Sequence, residues 1–472
     1  MRRLCWLLLI LIAAGAAHAE NWKTTKQACE DARFLRGFQL HNAEECAVDF
    51  FTLDPVGPAI GSITTGSGFG GGLHFVHQPS ANNTLAVKGL YTFNSSFLFG
   101  GQYQLNFRPP HPIVTGKRPD GHGGQTDLTK GNLFITAVHL DLHSQDFYGL
   151  GPNSTLTGHA VYHLRETWFG IQGYSPLASA GNYLGVFGVS GQFKYLRPAT
   201  GGVNGDSLPS VRALYGEIGA PSSTLEPDFI AAGIGFDVRT PTSRPRIWEQ
   251  HEAQFTYTHY SELGRSQFSF NRLEAFTSLS FDLSRSVPKP PPPGQSLLNQ
   301  SDRPWWRNAL CMENSRKGCD IGSITSTTLL TTSYTSPGSS VPFYFQPTLG
   351  GSDFEGVDTL RGLVDYRLRA PNRLLTQVDF DKAVANLGVK GHSIGQYGLY
   401  GFFDAGNVSL MPSLLTAQGL RTDVGIGVSI AIQNKLVFRA YMGFGAGEGS
   451  HLNAKAANTF ALTPQSIGSW IP

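Results

Sequence analysis

Apolar and polar side chains alternate along many short segments of this chain, starting near residue 61. In residues 101–107, 189–195 and 253–258, mostly aromatic and aliphatic side chains occupy every second position, and polar side chains lie between them. Residues 272–283 follow the same pattern with Phe276 as the exception. A period of two places alternate side chains on opposite faces of a β-strand, so the pattern predicts an all-β protein with many strands.

Two kinds of all-β protein fit this alternation. A soluble sandwich turns its apolar face to a core and leaves a charged exterior, whereas a transmembrane barrel turns its apolar face to lipid. The polar faces of these segments carry mainly amide and hydroxyl groups, which favours a transmembrane antiparallel β-barrel. In hydrocarbon every backbone N–H and C=O must be paired, so such a sheet has to close on itself.

Composition agrees with strands but does not choose between these classes. The chain has 56 glycines among 472 residues, 11% aromatic residues and 4 methionines, which is typical of short strands joined by turns. A soluble sandwich or propeller has a similar composition. After residue 19 no segment is apolar enough for the roughly 20-residue helix that spans a bilayer, so helical membrane proteins are excluded.

The first 19 residues have the pattern of a secretory signal peptide. Arg2 and Arg3 precede an apolar run, and Ala17-His18-Ala19 supplies the small residues of a cleavage site before Glu20. Cleavage removes both arginines and takes the formal net charge from +2 to zero. Neither nucleic acid nor an acidic surface is therefore predicted as a partner.

The mature chain is expected to consist of a short periplasmic segment, residues 20–55, and a barrel domain, residues 56–472. The first segment is too short for a domain, because even 60 residues bury only a marginal core. Its Cys29 and Cys46 form one local pair of cysteines, and Cys311 and Cys319 form another. Outside the cytoplasm two disulfides, each within one pair, are the simplest assignment, since neither pair has the C-x-x-C spacing of a zinc site.

Three short motifs lie close together between residues 344 and 407. A glycine-rich loop leads to Leu360-Arg361-Gly362, the next alternating run ends in Val378-Asp379-Phe380, and an aromatic run ends in Asp404. The alternation places both aspartates on strands, and the glycines place the arginine in a loop. If both acids face an enclosed lumen, a guanidinium that reaches them makes charge-assisted bonds and keeps the loop inside the wall. The alternative is an exposed loop arginine with two unrelated acids.

The order of these motifs resembles the bacterial surface-antigen barrels, the superfamily of the outer-membrane insertases BamA and TamA. The resemblance depends on Leu349-Gly350-Gly351, on the Leu-Arg-Gly tripeptide and on Phe402-Phe403-Asp404-Ala405-Gly406. It implies a barrel of about sixteen strands whose sixth extracellular loop enters the lumen. By resemblance, Arg361 and Gly362 at the tip of this loop contact Asp379 on the twelfth strand and Asp404 on the thirteenth.

A second match lies upstream, where Phe147-Tyr148-Gly149-Leu150-Gly151 resembles the phenylalanine and glycine turn of this family. Two departures are also present. The family has an arginine after the acid and the aromatic residue of strand twelve, whereas this chain has Asp381. The family also ends on an aromatic residue in its last strand, whereas this chain continues to Pro472. We therefore expect a different charge pattern in the lumen near Asp381.

We identify ten strands before the Arg361 loop and five after it, and the family pattern predicts one more strand upstream. Three long connections, residues 108–130, 198–227 and 286–318, are rich in glycine, proline, serine or histidine. We expect all three on the extracellular face, where the loops of such barrels are longer than the periplasmic turns.

A metal or catalytic site is the remaining chemical hypothesis. His139, Asp141 and His143 share one strand face, and His159 and His163 share a face of a segment expected to form the neighbouring strand. Two histidines and a carboxylate could bind a divalent metal, and a histidine in the lumen could act as a general base. Polar side chains that only line the lumen are the simpler interpretation. We expect no metal, no cofactor and no enzymatic activity.

The family resemblance implies that the protein assists the insertion or translocation of polypeptides at the outer membrane of a Gram-negative cell. Its route would be a lateral opening between the first and last strands. BamA and TamA carry periplasmic domains before the barrel, and here we expect none. The implied partners are outer-membrane lipid, polypeptide clients and a separate periplasmic protein. The alternative function is that of a passive pore or a structural surface barrel.

The two cysteine pairs give a direct test. Peptide mapping by mass spectrometry without reduction should find Cys29 linked to Cys46 and Cys311 linked to Cys319, because each pair is close in sequence. A link from Cys29 or Cys46 to either late cysteine would contradict this assignment.

Overall fold

The computed structural model describes residues 56–456, apart from residues 65, 81, 109–116, 120–124, 128–129, 180–185, 204–206, 240–247, 284–311, 315–317, 321, 354–356, 390–391, 417–418, 433–434 and 446. The predicted signal peptide and the segment 20–55 lie outside the described residues, and so do Cys29, Cys46 and Cys311. The backbone of Cys319 lies in a short hairpin formed by Met312–Asn314 and Gly318–Asp320. The signal peptide and both disulfides therefore stay predictions.

A single antiparallel sheet of sixteen strands makes up the wall of the molecule. The strands are β1 (Val56–Ser62), β2 (Phe69–Ser80), β3 (Asn83–Thr92), β4 (Phe97–Phe107), β5 (Gly131–Phe147), β6 (Ala160–Ser179), β7 (Val186–Gly201), β8 (Phe229–Arg239), β9 (Trp248–Glu262), β10 (Phe270–Asp282), β11 (Ser323–Thr335), β12 (Asn372–Val389), β13 (His392–Ser409), β14 (Arg421–Ile432), β15 (Lys435–Gly445) and β16 (Ser450–Ala456). Eleven strands precede Arg361 and five follow it, which confirms the predicted total of sixteen.

Each strand pairs with its neighbours in sequence, and the sheet curves until its two edges meet. Cα atoms of β1 and β16 come within 8 Å of each other. Among the described residues these two edge strands share no hydrogen-bonded ladder, since β1 pairs only with β2 and β16 only with β15. The wall is a barrel with one seam. The described part of each edge strand has 7 residues.

The outer face of this wall is apolar. Large aromatic and aliphatic side chains on most strands point away from the interior and remain exposed, as the alternation predicted for a wall that faces lipid. Examples are Phe99, Ile135, Phe169, Phe193, Ile234, Phe255, Leu399, Val424 and Ile426. The intervening side chains point inward, and several of them are buried polar groups, including Ser190, Gln192, Gln254, Thr256 and Thr258.

Residues 336–371, between β11 and β12, enter the barrel and are called the plug loop here. A short 3-10 turn, Phe343–Phe345, brings three aromatic residues into the interior. Phe343 packs edge-on against Phe147 and Tyr162, at ring-centroid distances of 5.3 and 4.8 Å. It belongs to an apolar core that also contains inward residues of β3 to β7, such as Leu140 and Leu164. Part of the interior is therefore a packed core.

The strand order also decides at which end each connection lies. In an up-and-down antiparallel sheet, connections after odd-numbered strands lie at one end and those after even-numbered strands at the other. The plug loop and residues 202–228 follow β11 and β7 and lie at one end, called the plug end here. The connections 108–130 and 283–322 follow β4 and β10 and lie at the opposite end. The expectation that the three long loops share one face is therefore wrong.

Residues 202–228 contain the helix α1 (Val211–Gly219), which begins after Ser210, whose hydroxyl accepts a hydrogen bond from the Ala213 N–H. This capping bond satisfies one of the free N–H groups of the first turn. Glu217 in turn accepts hydrogen bonds from the backbone N–H groups of Ser222 and Thr224. No helix in the described part of the chain is both long and apolar enough to cross a membrane.

A charge on the lipid-facing wall should destabilise the protein. Leu399, near the middle of β13, is 51% exposed on the outer face. Leu399→Lys should lower the free energy of unfolding in lipid vesicles by about 2 to 4 kcal/mol, because it places an ammonium group in hydrocarbon. Urea unfolding, followed by heat-dependent mobility on gels, measures this change.

Leu214 on α1 is the matched control. It is 47% exposed but belongs to a connection rather than to the wall. Leu214→Lys should change the free energy of unfolding by no more than about 0.5 kcal/mol. Equal effects of the two substitutions would argue against a lipid-facing outer wall.

Candidate functional site

Arg361, in the plug loop, lies inside the wall, and its side chain is only 1% exposed. Its Nε donates to Asp404 Oδ2 at 2.8 Å and its Nη2 donates to Asp404 Oδ1 at 2.5 Å, which makes a two-pronged contact. Nη1 lies 2.7 Å from Asp379 Oδ1. The structure thus brings together the loop arginine and the two strand acids that the sequence singled out.

The register of three neighbouring strands explains the position of Asp404. Gln377 of β12, Asp404 of β13 and Asp423 of β14 lie side by side in one inward row. Gln377 Nε2 donates to Asp404 Oδ1 at 3.2 Å and to the carbonyl of Thr359 in the plug loop at 3.1 Å. The row therefore binds the backbone of the plug loop as well as its guanidinium.

Gly362 completes this contact through its backbone. Its N–H donates to Asp423 Oδ2 at 2.8 Å, and the Arg361 N–H donates to Asp404 Oδ2 at 3.1 Å. A Cβ at position 362 would lie 2.7 Å from the Cβ of Asp423, so any larger residue would push the loop away from β14. Glycine is required here because the loop and the wall are in direct contact.

The wall is also shaped to receive the arginine. The guanidinium carbon lies 3.8 Å from the ring centroid of Phe402, close enough for a strong cation–π contact. On β15, a Cβ at Gly443 would lie 2.5 Å from the carbonyl oxygen of Arg361. An aromatic face on one strand and a missing side chain on another thus make room for the tip of the loop.

More carboxylates surround Arg361 than its single positive charge can neutralise. Burial by itself would lower the pKa of its guanidinium, but the hydrogen bonds and charge of Asp404, together with Asp379 and Asp358, raise it above its ordinary value. Arg361 therefore stays charged, and it is needed to offset the carboxylates. Removing one partner of such a buried pair leaves an uncompensated charge, which is strongly destabilising.

Asp423 was missed by the sequence analysis, and so was the space that Gly443 leaves. A signal for Asp423 was present, because Asp423, Gly425 and Gly427 alternate with Val424 and Ile426. Val424 and Ile426 face outward and are exposed. An acid followed by glycines on the inner face indicates a place where another segment comes close to the strand.

The turn at residues 147–151 provides a second attachment for the plug loop. Gly149 and Gly151 have φ values of +96° and +88°, which allow the tight reversal after β5. The Gly151 N–H donates to the carbonyl of Arg369 at 2.7 Å. Arg369 Nη1 donates to the carbonyl of Phe343 at 2.9 Å. The turn and the arginine together link both arms of the plug loop to the wall.

The candidate residues His139 and Asp141 lie on the outer face instead of in the lumen. Val138, Leu140 and Leu142 of β5 are buried in the apolar core, so the side chains between them point outward. His139 Nδ1 lies 2.7 Å from Thr167 Oγ1 and packs against Phe97. The expectation of a lumen position is wrong, because the interior near β5 is filled by apolar side chains.

The other members of this set form one small cluster and one separate pair. His163 of β6 lies 2.5 Å from Asp141, and its ring centroid is 5.9 Å from that of His143. His159, in the turn before β6, lies 2.8 Å from Asp146. Among the residues that the structure describes, no group of three or more His, Cys, Asp or Glu side chains is arranged to hold a metal ion.

The charge pattern near Asp381 involves a strand that the sequence did not suggest. Arg439 of β15 lies 3.9 Å from Asp381 and 3.8 Å from Asp358 of the plug loop. Its guanidinium carbon is 4.6 Å from the ring centroid of Tyr400. The family pattern has an arginine at the position of Asp381. In this chain that position is an acid, and the positive charge near it comes from Arg439 on β15.

Comparison with protein-family models finds no match, and comparison with curated proteins finds none either. Among solved structures, BamA from Haemophilus ducreyi lacking POTRA domains 1–3 has a TM-score of 0.47 and 11% sequence identity, covering 85% of this chain and 69% of that chain. CdiB from Acinetobacter baumannii has a TM-score of 0.46 and 12% identity, covering 85% of this chain and 59% of that chain. This chain thus spans less than two thirds of the length of CdiB.

Replacing the buried arginine should release the plug loop without unfolding the wall. Arg361→Ala should destabilise the folded protein by up to about 3 to 5 kcal/mol, because Asp379 and Asp404 lose their cation. Arg361→Lys should retain only part of the stability that Arg361→Ala loses, since an ammonium cannot make the two-pronged contact. Urea unfolding measures the loss, and limited proteolysis reports release of the loop.

Arg265→Ala, in an exposed turn at the same end, is the control and should be nearly neutral. Double-mutant cycles of Arg361→Ala with Asp379→Asn and with Asp404→Asn should each give coupling of about 0.5 to 3 kcal/mol. Additive effects, or protease cleavage of the plug loop in the wild type, would argue against a buried ion pair.

Proposed function

We propose that this protein is an outer-membrane barrel that assists the insertion or translocation of polypeptides, using the seam between β1 and β16. The observation that supports this most directly is the combination of an unpaired seam with a plugged interior. The two edge strands approach each other without sharing a ladder in the described part of the chain. The plug loop meanwhile occupies the interior and is bound to the wall through Arg361.

An unpaired edge explains how the seam could act on a client. In the described part of the chain, β1 and β16 have no partner strand on their outer edges, and unpaired backbone groups at such edges are costly in hydrocarbon. An incoming strand can satisfy them by adding to the edge, as peptides do when they extend exposed sheets. β1 and β16 share no ladder in the described part of the chain, so opening the seam there breaks no strand pairing. The client would gain a strand to pair with, and the edge strand of the wall would gain a hydrogen-bonded partner.

The plugged interior favours this sideways route over passage through the lumen. Phe343, Tyr344 and Phe345 pack into the apolar core, and Arg272 on β10 donates a hydrogen bond to the carbonyl of Phe345. An aqueous pore requires a continuous polar passage, and an apolar core in the interior disfavours one. In the alternative function, a passive pore, polar inner residues such as Gln192 and Gln254 would line the water-filled passage.

The family resemblance sets the orientation. If the plug end faces the cell exterior, the start of β1 and the end of β16 face the periplasm. Unfolded clients would then reach the seam from the periplasm, delivered by a separate periplasmic protein. The connections 108–130 and 283–322 would lie on the same side.

An insertion assay tests this proposal. Liposomes containing the protein should accelerate folding of an added, urea-unfolded small outer-membrane barrel, compared with liposomes containing Arg361→Ala or no protein. The acceleration is expected because the edge strands provide a template, and it should depend on the plug loop that organises the wall. Equal folding rates in all three preparations would contradict the proposal.

Conductance in planar bilayers distinguishes the proposed function from the alternative, a passive pore. A plugged barrel should give small, fluctuating currents, and Arg361→Ala should increase them because it releases the plug loop. Large, steady currents from the intact wild type would favour a passive pore.

A further inference from the structure

Two adjacent residues of the plug loop, Tyr366 and Arg367, contact opposite sides of the β1–β16 seam. The Tyr366 hydroxyl lies 2.6 Å from Thr64 Oγ1, in the turn between β1 and β2. Arg367 Nε lies 2.5 Å from Glu448 Oε1, in the turn between β15 and β16. The peptide unit that joins these two residues therefore connects both edges of the sheet at the plug end.

The Tyr366 contact is buried and constrained. Tyr366 has φ of 56°, a left-handed conformation that is rare for a bulky residue, and its N–H donates to the carbonyl of Gly350 at 3.1 Å. Burial raises the pKa of Tyr366 well above its ordinary value, so its hydroxyl stays neutral. The partner turn is rigid, because Ser67 Oγ accepts from the backbone N–H groups of Ile63 and Thr64. A strained backbone in a buried loop is a sign of a functional constraint.

The Arg367 contact is part of a larger cluster at the plug end. Both charged side chains are nearly buried, with 4% of Arg367 and 8% of Glu448 exposed. Arg367 also donates to the hydroxyl and carbonyl of Ser154, at 2.9 and 2.8 Å. Arg421 of β14 lies 3.6 Å from the same carboxylate of Glu448. Glu448 thus receives two guanidinium groups, one from the plug loop and one from the wall.

We propose that Tyr366 and Arg367 form a latch that keeps the two edges of the seam together at the plug end. The proposal concerns the seam of the proposed function, and so it rests on that function for its biological purpose. Because β1 and β16 share no ladder among the described residues, these two side-chain contacts compensate for missing strand pairing. Movement of the plug loop would release both edges at once, which would link the interior of the barrel to its lateral opening.

The Arg361 site and the latch lie on the same folded segment of the plug loop. Arg361 attaches the loop to β12 and β13, five positions before the latch begins at Tyr366. The carbonyl of Gly350 bonds to Tyr366, and the Gly351 N–H bonds to the carbonyl of Leu360, so the segment between the two sites is folded against the other arm of the loop. Loss of the Arg361 contacts should therefore disturb the latch, whereas loss of the latch should leave the Arg361 contacts in place.

Hydrogen–deuterium exchange of the full chain in lipid vesicles tests the latch. Tyr366→Phe keeps the ring and removes only the hydroxyl, and exchange of the β1 amides, Val56–Ser62, should become about fivefold faster. Glu448→Gln removes the charge with little change in shape and should have a similar effect on β16, Ser450–Ala456. Amides in the middle of β12 and β13 should keep their wild-type exchange rates.

Matched variants control for the loss of a hydroxyl or a carboxylate as such. Tyr257→Phe removes a hydroxyl that donates to Asn271 on the outer wall at 2.7 Å, far from the seam in strand order. Glu217→Gln changes a carboxylate that binds the backbone after α1. Neither should alter exchange in β1 or β16. Thr64→Val, which is nearly isosteric, removes the other half of the Tyr366 contact and should reproduce the effect of Tyr366→Phe.

The outcomes distinguish the latch from the proposed function. Faster exchange at the edges in variants that accelerate client insertion as well as the wild type would support the latch and argue against the seam as the route of insertion. Faster exchange in these variants, together with a wild-type protein that does not accelerate insertion, would support the latch and contradict the insertion function. Wild-type exchange at β1 and β16 in Tyr366→Phe, Thr64→Val and Glu448→Gln would overturn the latch, whatever the insertion assay shows. An equal increase in Tyr257→Phe would overturn it as well.

Discussion

The architecture depends on one buried ion pair, in which the Arg361 guanidinium lies between Asp404 and Asp379. A charged group is expensive to bury, and it stays buried only where hydrogen bonds and opposite charges replace its water. Here the wall supplies both, with a carboxylate that accepts two N–H groups and an aromatic ring against the guanidinium. The cost of breaking this set keeps a 36-residue loop, residues 336–371, inside the barrel.

The plug loop in turn changes the chemistry of the interior. A barrel wall that encloses water needs polar side chains inside, whereas a wall that encloses the aromatic turn Phe343–Phe345 needs apolar ones. Both kinds of inner surface occur in this molecule. Leu140 and Leu164 belong to the same apolar core as the aromatic turn, while Gln192 and Thr256 belong to the polar part of the inner wall. The placement of one loop thus decides which residues the inner face of each strand can carry.

The same loop connects the interior with the seam. Its tip is bound to β12, β13 and β14, and its returning arm contacts the turns on both sides of the seam through Tyr366 and Arg367. The two strands with the longest register, β12 and β13, thus carry the anchor, and β1 and β16 lie at the edges of the sheet, where the described residues share no ladder. The loop therefore contacts both the most extensively paired strands and the edges of one sheet.

The alternation in the sequence by itself determined the strand-rich class and the apolar outer face, because a period of two is local information. The total of sixteen strands and the pairing of Arg361 with Asp379 and Asp404 were implied by the resemblance of a few motifs to a known barrel family, and the structure has both. Only the tertiary structure decided which face of β5 points inward. Alternation groups His139, Asp141 and His143 on one face without saying whether water, lipid or a loop covers it. On the opposite face, Leu140 and Leu142 belong to the same apolar core as the aromatic turn of the plug loop, and this leaves His139 and Asp141 facing outward. The structure likewise added Asp423 and the contacts of Tyr366 and Arg367, because each joins segments distant in sequence through a contact that forms only when the plug loop lies inside the curved sheet.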